Sequence, residues 1–470
     1  MKNNSIGVII GAGPAGLSAA ETLSNSTRRF IVLEANNRIG GISATVKHNG
    51  FYFDLGVHRF FTKNKEIDRY VADLLGSDRV MVDRSSVILL NGKFFAYPLK
   101  PANAIFGLGP ITAMSIITNY VMERFKYNRR PPRSLEDWVI SQFGKTLYRL
   151  FFKTYTEKVW GIACNRISSE WAVQRIKGLS LRTAIIDAFW GKREKDASSL
   201  LKHFYYPKKG IGMICEKLAE TIEAPNQLLL DAPATQLFHD GEKITAVTYF
   251  GKQREEKIDS DFVISSMPIT ELITSLKPAP PGEIVEAAQW LKYRSIIFVA
   301  LMFDFPSITE HTWVYIHDPQ IELARFHEPK NCSIEMAPKN KTCIVLEHFC
   351  NEGDAVWNSS DEELYEKTKQ DFKKTRIKPE AYDKILDYKV VRVPKAYPLY
   401  EVGFSRYLLK IRDYLKGFNN LQLVGRYGTY KYNNLDHSLE TGIKGAQNIL
   451  GADHDTFMVN IEPEYHEEIE

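Results

Sequence analysis

The chain is poor in cysteine: 470 residues contain five, at Cys164, Cys215, Cys332, Cys343 and Cys350. None forms a CxxC pair, and none stands among histidines at zinc-site spacing. Neither a disulfide scaffold nor a zinc-held fold is expected. The expectation is free buried thiols in a reducing, cytoplasmic compartment, with Cys343 and Cys350 on a strand and its neighbour. No metal site is expected. Charge of one sign is also missing, because 61 Lys and Arg face 57 Asp and Glu for a net charge of +4. That balance gives no reason to expect nucleic acid, although a local basic site for phosphates is compatible with it. A long apolar run is absent too. The stretch 105–122 carries no charge, but Gly107, Gly109, Pro110, Ser115, Thr118 and Asn119 interrupt it. A membrane span needs about 20 predominantly apolar residues. We expect a buried helix beginning near Pro110, and no stable membrane insertion. The alternative is contact with one leaflet, helped by Arg124, Lys126, Arg129, Arg130 and Arg133. The opening residues, MKNNS, have no signal-peptide character, so nothing removable is expected before the fold.

What is present is a globular composition, 44% hydrophobic and 25% charged, at a length that implies two or three intertwined domains. Residues 6–10 read as a fully apolar strand, GAGPAG (11–16) as a glycine turn into a helix, and FIVLEA (30–35) as a second buried strand. The pattern from 76 to 204 is mainly helical. A helix is expected at 210–224, strands with a hairpin at Asp240-Gly241 over 227–257, and a buried strand at 261–268. Residues 290–350 are rich in β-branched and aromatic types, 361–374 is a charged amphipathic helix, and a last strand and helix occupy 420–426 and 436–450. The expected class is α/β: a Rossmann-like dinucleotide-binding domain with an inserted mixed helical and antiparallel-sheet substrate domain. Its discontinuous dinucleotide domain draws on 1–75, 205–275 and 395–455. Residues 76–204 form a helical substrate and lid domain, 276–394 a mixed-sheet substrate domain, and 456–470 a mobile acidic tail.

The N-terminal turn carries the most specific chemistry. Gly11 permits the tight turn, Gly13 lets backbone approach a pyrophosphate, and Gly16 allows close helix–strand packing, with Ala15 between them in the first helical turn. The helix N-terminus favours the negative charge of the phosphates. Glu34 ends the second strand, followed by Ala35, where a carboxylate binds ribose hydroxyls. A second glycine pair, Gly40-Gly41, lies downstream in VLEANNRIGGISATV (32–46). This string resembles the FAD superfamily of amine oxidases, protoporphyrinogen oxidases, carotenoid desaturases and UDP-galactopyranose mutases. The resemblance implies FAD rather than NAD, with a late strand, Gly425-Arg426 turn and helix beginning near Asp436 approaching the flavin.

Four further strings resemble the UDP-galactopyranose mutases. GFYFDLGVHRFFT (50–62) implies that His58 lies against the flavin with the Val57 backbone beside it, although the family has a smaller residue at that place. FFKTYTEKVWGIACNRISSEWAVQRI (151–176) implies nucleotide contacts from Phe152, Tyr155 and Trp160, and a lid arginine at Arg175. ARFHEPKN (324–331) implies a phosphate ligand at Arg325. KAYPLY (395–400) with GRYGTYKYNNLDHS (425–438) implies Tyr397, Arg426, Tyr430, Tyr432 and Asn434 at the substrate. The reaction implied is pyranose–furanose isomerisation of a nucleoside-diphosphate sugar through a flavin–sugar adduct. His58, Arg325 and Arg426 are its candidate catalytic residues, and NAD(P)H or another external donor would reduce the flavin. The bland readings stay open: a core histidine at 58, core aromatics around Trp160, and surface pairing for the arginines. The alternative function is an FAD-dependent oxidoreductase that uses oxidised flavin as hydride acceptor.

Overall fold

The computed structural model describes residues 6–56, 58–97, 109–127, 132–171 and 203–460. Two large sheets organise it. The first is an eight-stranded mixed sheet with the apolar strand Ile6–Ile10 near its centre. That strand pairs in parallel with Phe30–Leu33 on one side and with Glu255–Ser265 on the other. Burial on both faces is why the run is continuously apolar rather than alternating. Leu421–Leu423 joins in parallel at Glu255–Ser265, and the hairpin of Ala234–His239 and Ile244–Phe250 extends the sheet antiparallel.

Two helices bring the chain ends together beside this sheet. Pro14–Ser24 follows the first strand, and Leu435–Ile449 packs along it. The approach depends on Gly442, where an added Cβ would stand 2.1 Å from the Ala15 carbonyl oxygen. Ser18 Oγ donates across the same contact to the Leu439 carbonyl at 3.0 Å.

The second sheet has seven strands, in the order Ile385–Leu399, Lys292–Phe303, Thr342–Cys350, Arg325–His327, Trp313–Ile316, Ser86–Leu90 and Lys93–Ala96. Alternation along Lys292–Phe303 separates two cores. Ile296, Phe298, Ala300 and Met302 face the helices that line the cleft, while Ile297, Val299, Leu301 and Phe303 face a second core that contains Leu364 and Phe372 of the helix Asp361–Lys374. Cys343 and Cys350 lie on one strand and enter opposite cores, which corrects the expectation of neighbouring strands; all five cysteines are free and buried.

The stretch from 76 is less helical than expected, because it opens with the strands Arg79–Asp83, Ser86–Leu90 and Lys93–Ala96. The overlooked signal is Asn91-Gly92, a two-residue turn with positive φ at both positions, 50° and 71°. Helices then occupy Pro110–Tyr127, Leu135–Leu147 and Thr154–Trp160. The first of them starts at the anticipated proline but is not a buried helix: Ile111 is 87% exposed and Met114 67%, while Ile116 and Tyr120 face inward. Among the described residues no helix is long and apolar enough to cross a membrane. The start of the expected mobile tail, at 456, is instead packed. Phe457 and Val459 are buried, and Lys431 Nζ donates to both of their carbonyls. Residues 461–470 lie outside the described part.

Candidate functional site

One cavity of about 770 Å³ runs between the two sheets. At one end it is built from consecutive residues. Gly11 takes φ +98°, and a Cβ on Gly16 would stand 1.8 Å from the Gly11 carbonyl oxygen, so strand and helix meet at backbone distance. Gly13, which caps the helix Pro14–Ser24 without a side-chain bond, has nothing within 4 Å of where a Cβ would be. The first-turn N–H groups therefore face an open cradle with the positive end of the helix dipole, as a pyrophosphate requires. Glu34 is 5% exposed; its carboxylate accepts from Ala12 N at 2.7 Å and from Asn36 N and Nδ2 at 2.9 and 2.7 Å. Those bonds aim it at the cavity, beside Ala35 and Gly41. Gly16 and Gly40 lie behind this surface and shape the turns. Arg38 also lines it, with its pKa lowered by burial and partly restored by Glu34. This cation was missed in the sequence, although it stands between Glu34 and the second glycine pair. An open glycine cradle, a helix N-terminus and an oriented carboxylate fit the pyrophosphate and ribose of FAD.

The other end is built from distant segments. Strand register sets Tyr315 opposite Arg325, and Arg325 opposite Glu347. Phe326 points into the far core at 0% exposure, which leaves Arg325 and His327 on the near face. Arg325 Nε donates to Glu347 Oε2 at 2.5 Å, and Nη2 donates to the Tyr397 hydroxyl at 3.1 Å. Glu347 is fully buried; burial pushes its carboxyl up and Arg325 pulls it down. Arg426 is anchored by Nε and Nη2 to the Asn433 carbonyl and by Nη1 to the Ala396 carbonyl, at 2.8–3.1 Å. Its guanidinium lies 5.2 Å from the Tyr397 ring centre and 5.0 Å from that of Tyr432; the two rings stack at 5.3 Å. His58 completes this side. Burial first, then the charges of Arg426 and Arg325, push its imidazole down to about 3.

The helix Thr154–Trp160 supplies an aromatic wall. Tyr155 stacks on His317 at 4.6 Å and 11°, and Trp160 meets Trp171 edge to face at 5.4 Å. Arg294 fixes the end of this helix: Nε donates to the Val159 carbonyl at 3.0 Å, and Nη2 to the Phe349 carbonyl at the same distance. That contact holds the helix to the sheet and places a cation at its C-terminal end.

The cavity thus brings together Gly11, Gly13, Ala15, Glu34, Ala35, Gly41, His58, Phe152, Tyr155, Trp160, Arg325, Tyr397, Gly425, Arg426, Tyr432 and Asn434. Besides Gly16 and Gly40, two expected residues do not face it. Tyr430 is fully buried, and its hydroxyl donates to the Lys292 and Leu399 carbonyls, so the ring belongs to the core and does not line the cavity. Asp436 is 3% exposed within the first turn of the last helix, behind the lining. Val57, Arg175 and the lid around Arg175 lie outside the described residues. Tyr97, Trp313, Tyr315, His317, Arg59 and Arg84 line the cavity without having been anticipated. Strand alternation in TWVYI (312–316) was the available signal for Trp313 and Tyr315. The lining carboxylates are Glu34, at the glycine end, and Glu271, which pairs with Lys395 at 2.6 Å. The substrate end is therefore cationic and suited to an anion. Among the described residues no cluster of His, Cys, Asp or Glu could hold a metal ion.

Comparison with known proteins agrees with this architecture. Residues 14–450 match the model of the flavin containing amine oxidoreductases. A reduced UDP-galactopyranose mutase has a similar fold, with a TM-score of 0.85 at 22% identity over 98% of both chains. A putative protoporphyrinogen oxidase from Exiguobacterium sp. 255-15 superposes with a TM-score of 0.71 at 17% identity, over 95% of this chain and 99% of that one. In sequence, a corticosteroid-binding protein of Candida albicans is 26% identical over 308 residues, 59% of this chain and 54% of that protein. The match spans about half of that protein's length.

Proposed function

The chain belongs to the flavin-containing amine oxidoreductase family and uses FAD, and from that premise we propose that it isomerises the sugar ring of a nucleoside-diphosphate sugar between pyranose and furanose forms. The observation that carries this reading is the meeting of Arg325, Arg426, Tyr397 and Tyr432 in the cavity that also contains the dinucleotide turn. Guanidinium forks match diphosphate oxygens, and tyrosine hydroxyls add neutral donors. The residues that would hold FAD are Gly11, Gly13, Ala15, Glu34, Ala35, Arg38 and Gly41 at the dinucleotide end, with Gly425 and His58 nearer the reacting end. Bound and reduced, FAD supplies a nucleophilic nitrogen for an anomeric carbon. The chain's own task is then to hold the diphosphate, to stabilise the charge it gains on leaving, and to keep water away. Arg325 and Arg426 do the first two. Tyr155, Trp160 and Tyr315 offer ring faces and edges to the rest of the nucleotide. An external donor such as NAD(P)H keeps the flavin reduced.

A second reading is oxidation, with FAD as hydride acceptor. The stacked pair Tyr397–Tyr432 beside Trp160 favours it, because a flat aromatic slot also suits an apolar or amine substrate. The two readings separate in one experiment. Dithionite-reduced protein is incubated without oxygen with a panel of nucleoside-diphosphate sugars, and the products are separated by chromatography. Ring isomers that form only with reduced protein are the expected result. Steady oxygen consumption with an amine, a porphyrinogen or a polyene, and no isomer from any nucleotide sugar, overturns the proposal.

A further inference from the structure

Several buried polar atoms under the floor of the substrate end have no role in the reading above. Among the described residues, His58 Nδ1, both ring nitrogens of His327 and Glu347 Oε1 are buried without a hydrogen-bond partner. They cluster around Arg325. His327 shares its strand and, by alternation, its face; Glu347 pairs with Arg325 from the next strand; His58 comes from the loop after Phe51–Asp54. The charged groups around the two histidines are Arg325 on the Arg325–His327 strand, Arg426 on Gly425–Gly428, the chain neighbours Arg59 and Glu328, and Glu347 on Thr342–Cys350, which is paired to Arg325 at 2.5 Å. His327 is 4% exposed, and burial, then His58, then Arg325 push it down to about 3. Both imidazoles are therefore neutral in the free protein, where burial and the guanidiniums outweigh a Glu347 carboxylate already held by Arg325. A neutral imidazole still carries one N–H, and the N–H of His327 has no acceptor, an unfavourable state for a buried donor.

A bound diphosphate changes the field at this cluster. Its negative charges would lie on Arg325 and Arg426, the same two cations that add to burial in holding His58 neutral. An opposite charge within about 4–6 Å raises the pKa of a histidine by roughly 1–3 units. Resting on the nucleotide-sugar reading, we propose that the His58–His327 pair takes up a proton from solvent when a diphosphate occupies the Arg325–Arg426 site. The substrate's own charge thus creates an acid beside its leaving group. The proton stays on the imidazole pair. When the bond between the anomeric carbon and oxygen breaks, its electrons go to the diphosphate oxygen, and the imidazolium stabilises that charge without being consumed. In the free protein the pair returns the proton to solvent.

Proton linkage in calorimetry tests this without turnover. FAD-bound, oxidised protein is titrated with UDP-galactose, whose diphosphate diester has no ionisation near neutrality, in two buffers of different ionisation enthalpy. Because the complex holds more protons than the free protein, and a rise of roughly 1–3 units carries the pair from about 3 to about 4–6, uptake is expected below about pH 6, fading by about pH 7, and affinity should tighten as pH falls through that range, by up to about tenfold per unit for one proton. The double variant His58→Asn, His327→Asn, checked for retained flavin absorbance, is expected to bind without uptake; either single substitution serves if the double one loses FAD. A binding enthalpy independent of buffer at every pH overturns the proposal, and so does uptake that persists in the variant, which would assign the proton to Glu347. Failure of UDP-galactose to bind at any pH sinks the nucleotide reading itself, whereas binding without uptake sinks only this proposal.

Discussion

The two ends of the cavity are built in opposite ways. The dinucleotide end comes from one stretch, residues 10–43, in which strand, turn and helix follow each other and each glycine has a local task. The substrate end takes His58 from a loop, Tyr155 and Trp160 from a helix, Arg325 and Tyr397 from two strands, and Arg426 and Tyr432 from the segment between the last strand and the last long helix. A local motif states its geometry in its own spacing. A site assembled across a sheet has a geometry that exists only after the strands pair.

The sharpest way to break this comparison is Gly16→Val. The first added carbon would sit 1.8 Å from a backbone oxygen, and no rotamer relieves that contact. The variant is expected to be recovered without flavin, as read by absorbance after heat release. Retention of a full complement of FAD would mean that the turn is less exacting than its geometry implies. Arg426→Ala should have the next largest effect, at the other end. Truncating one member of a buried charge-assisted contact costs about 2–5 kcal/mol, or roughly 30- to 5,000-fold in binding. Nucleoside-diphosphate affinity should fall by such a factor while FAD stays bound. Because Arg426 also ties Asn433 to Ala396, Arg426→Lys should recover only part of the loss. Unchanged affinity in Arg426→Ala would return this cation to a purely structural role. The smallest effect belongs to two tyrosines. Tyr397→Phe removes the acceptor for Arg325 Nη2, a change of about 0.5–1.5 kcal/mol or roughly 2- to 12-fold in nucleotide affinity. Tyr430→Phe should instead lower the melting temperature and leave affinity alone, since its hydroxyl bonds only core carbonyls. Equal effects of the two on binding would place both rings at the substrate.

The same contrast explains what could be read from the sequence. The glycine turn, Glu34, the helix Asp361–Lys374 and the last strand and helix were legible because period and punctuation are local signals. Arg325, Arg426 and Tyr432 were legible only through a family resemblance, because nothing in their spacing places them on one cavity. Tyr430 shows the limit of that route. It stands two residues from Tyr432 and shares its string, but it takes φ +49°, a left-handed conformation that breaks the alternation of the segment. Its ring points into the core. Glu347 was invisible for a different reason. In TCIVLEHFC it looks like one acid on a strand, and only the pairing of that strand with Arg325–His327 turns it into a buried counter-charge.

That counter-charge also bears on how ligands leave. Stripping the partner from a buried cation typically costs about 3–5 kcal/mol, and a site that relied on its ligand for that partner would pass the cost to the off-rate. Arg325 does not, since Glu347 from within the protein holds its Nε at 2.5 Å. Departure of one nucleotide therefore does not have to create a bare guanidinium, and arrival of the next does not have to displace the resident carboxylate. On the proposed reading, a resident carboxylate of this kind favours moderate affinity and fast exchange of the nucleotide.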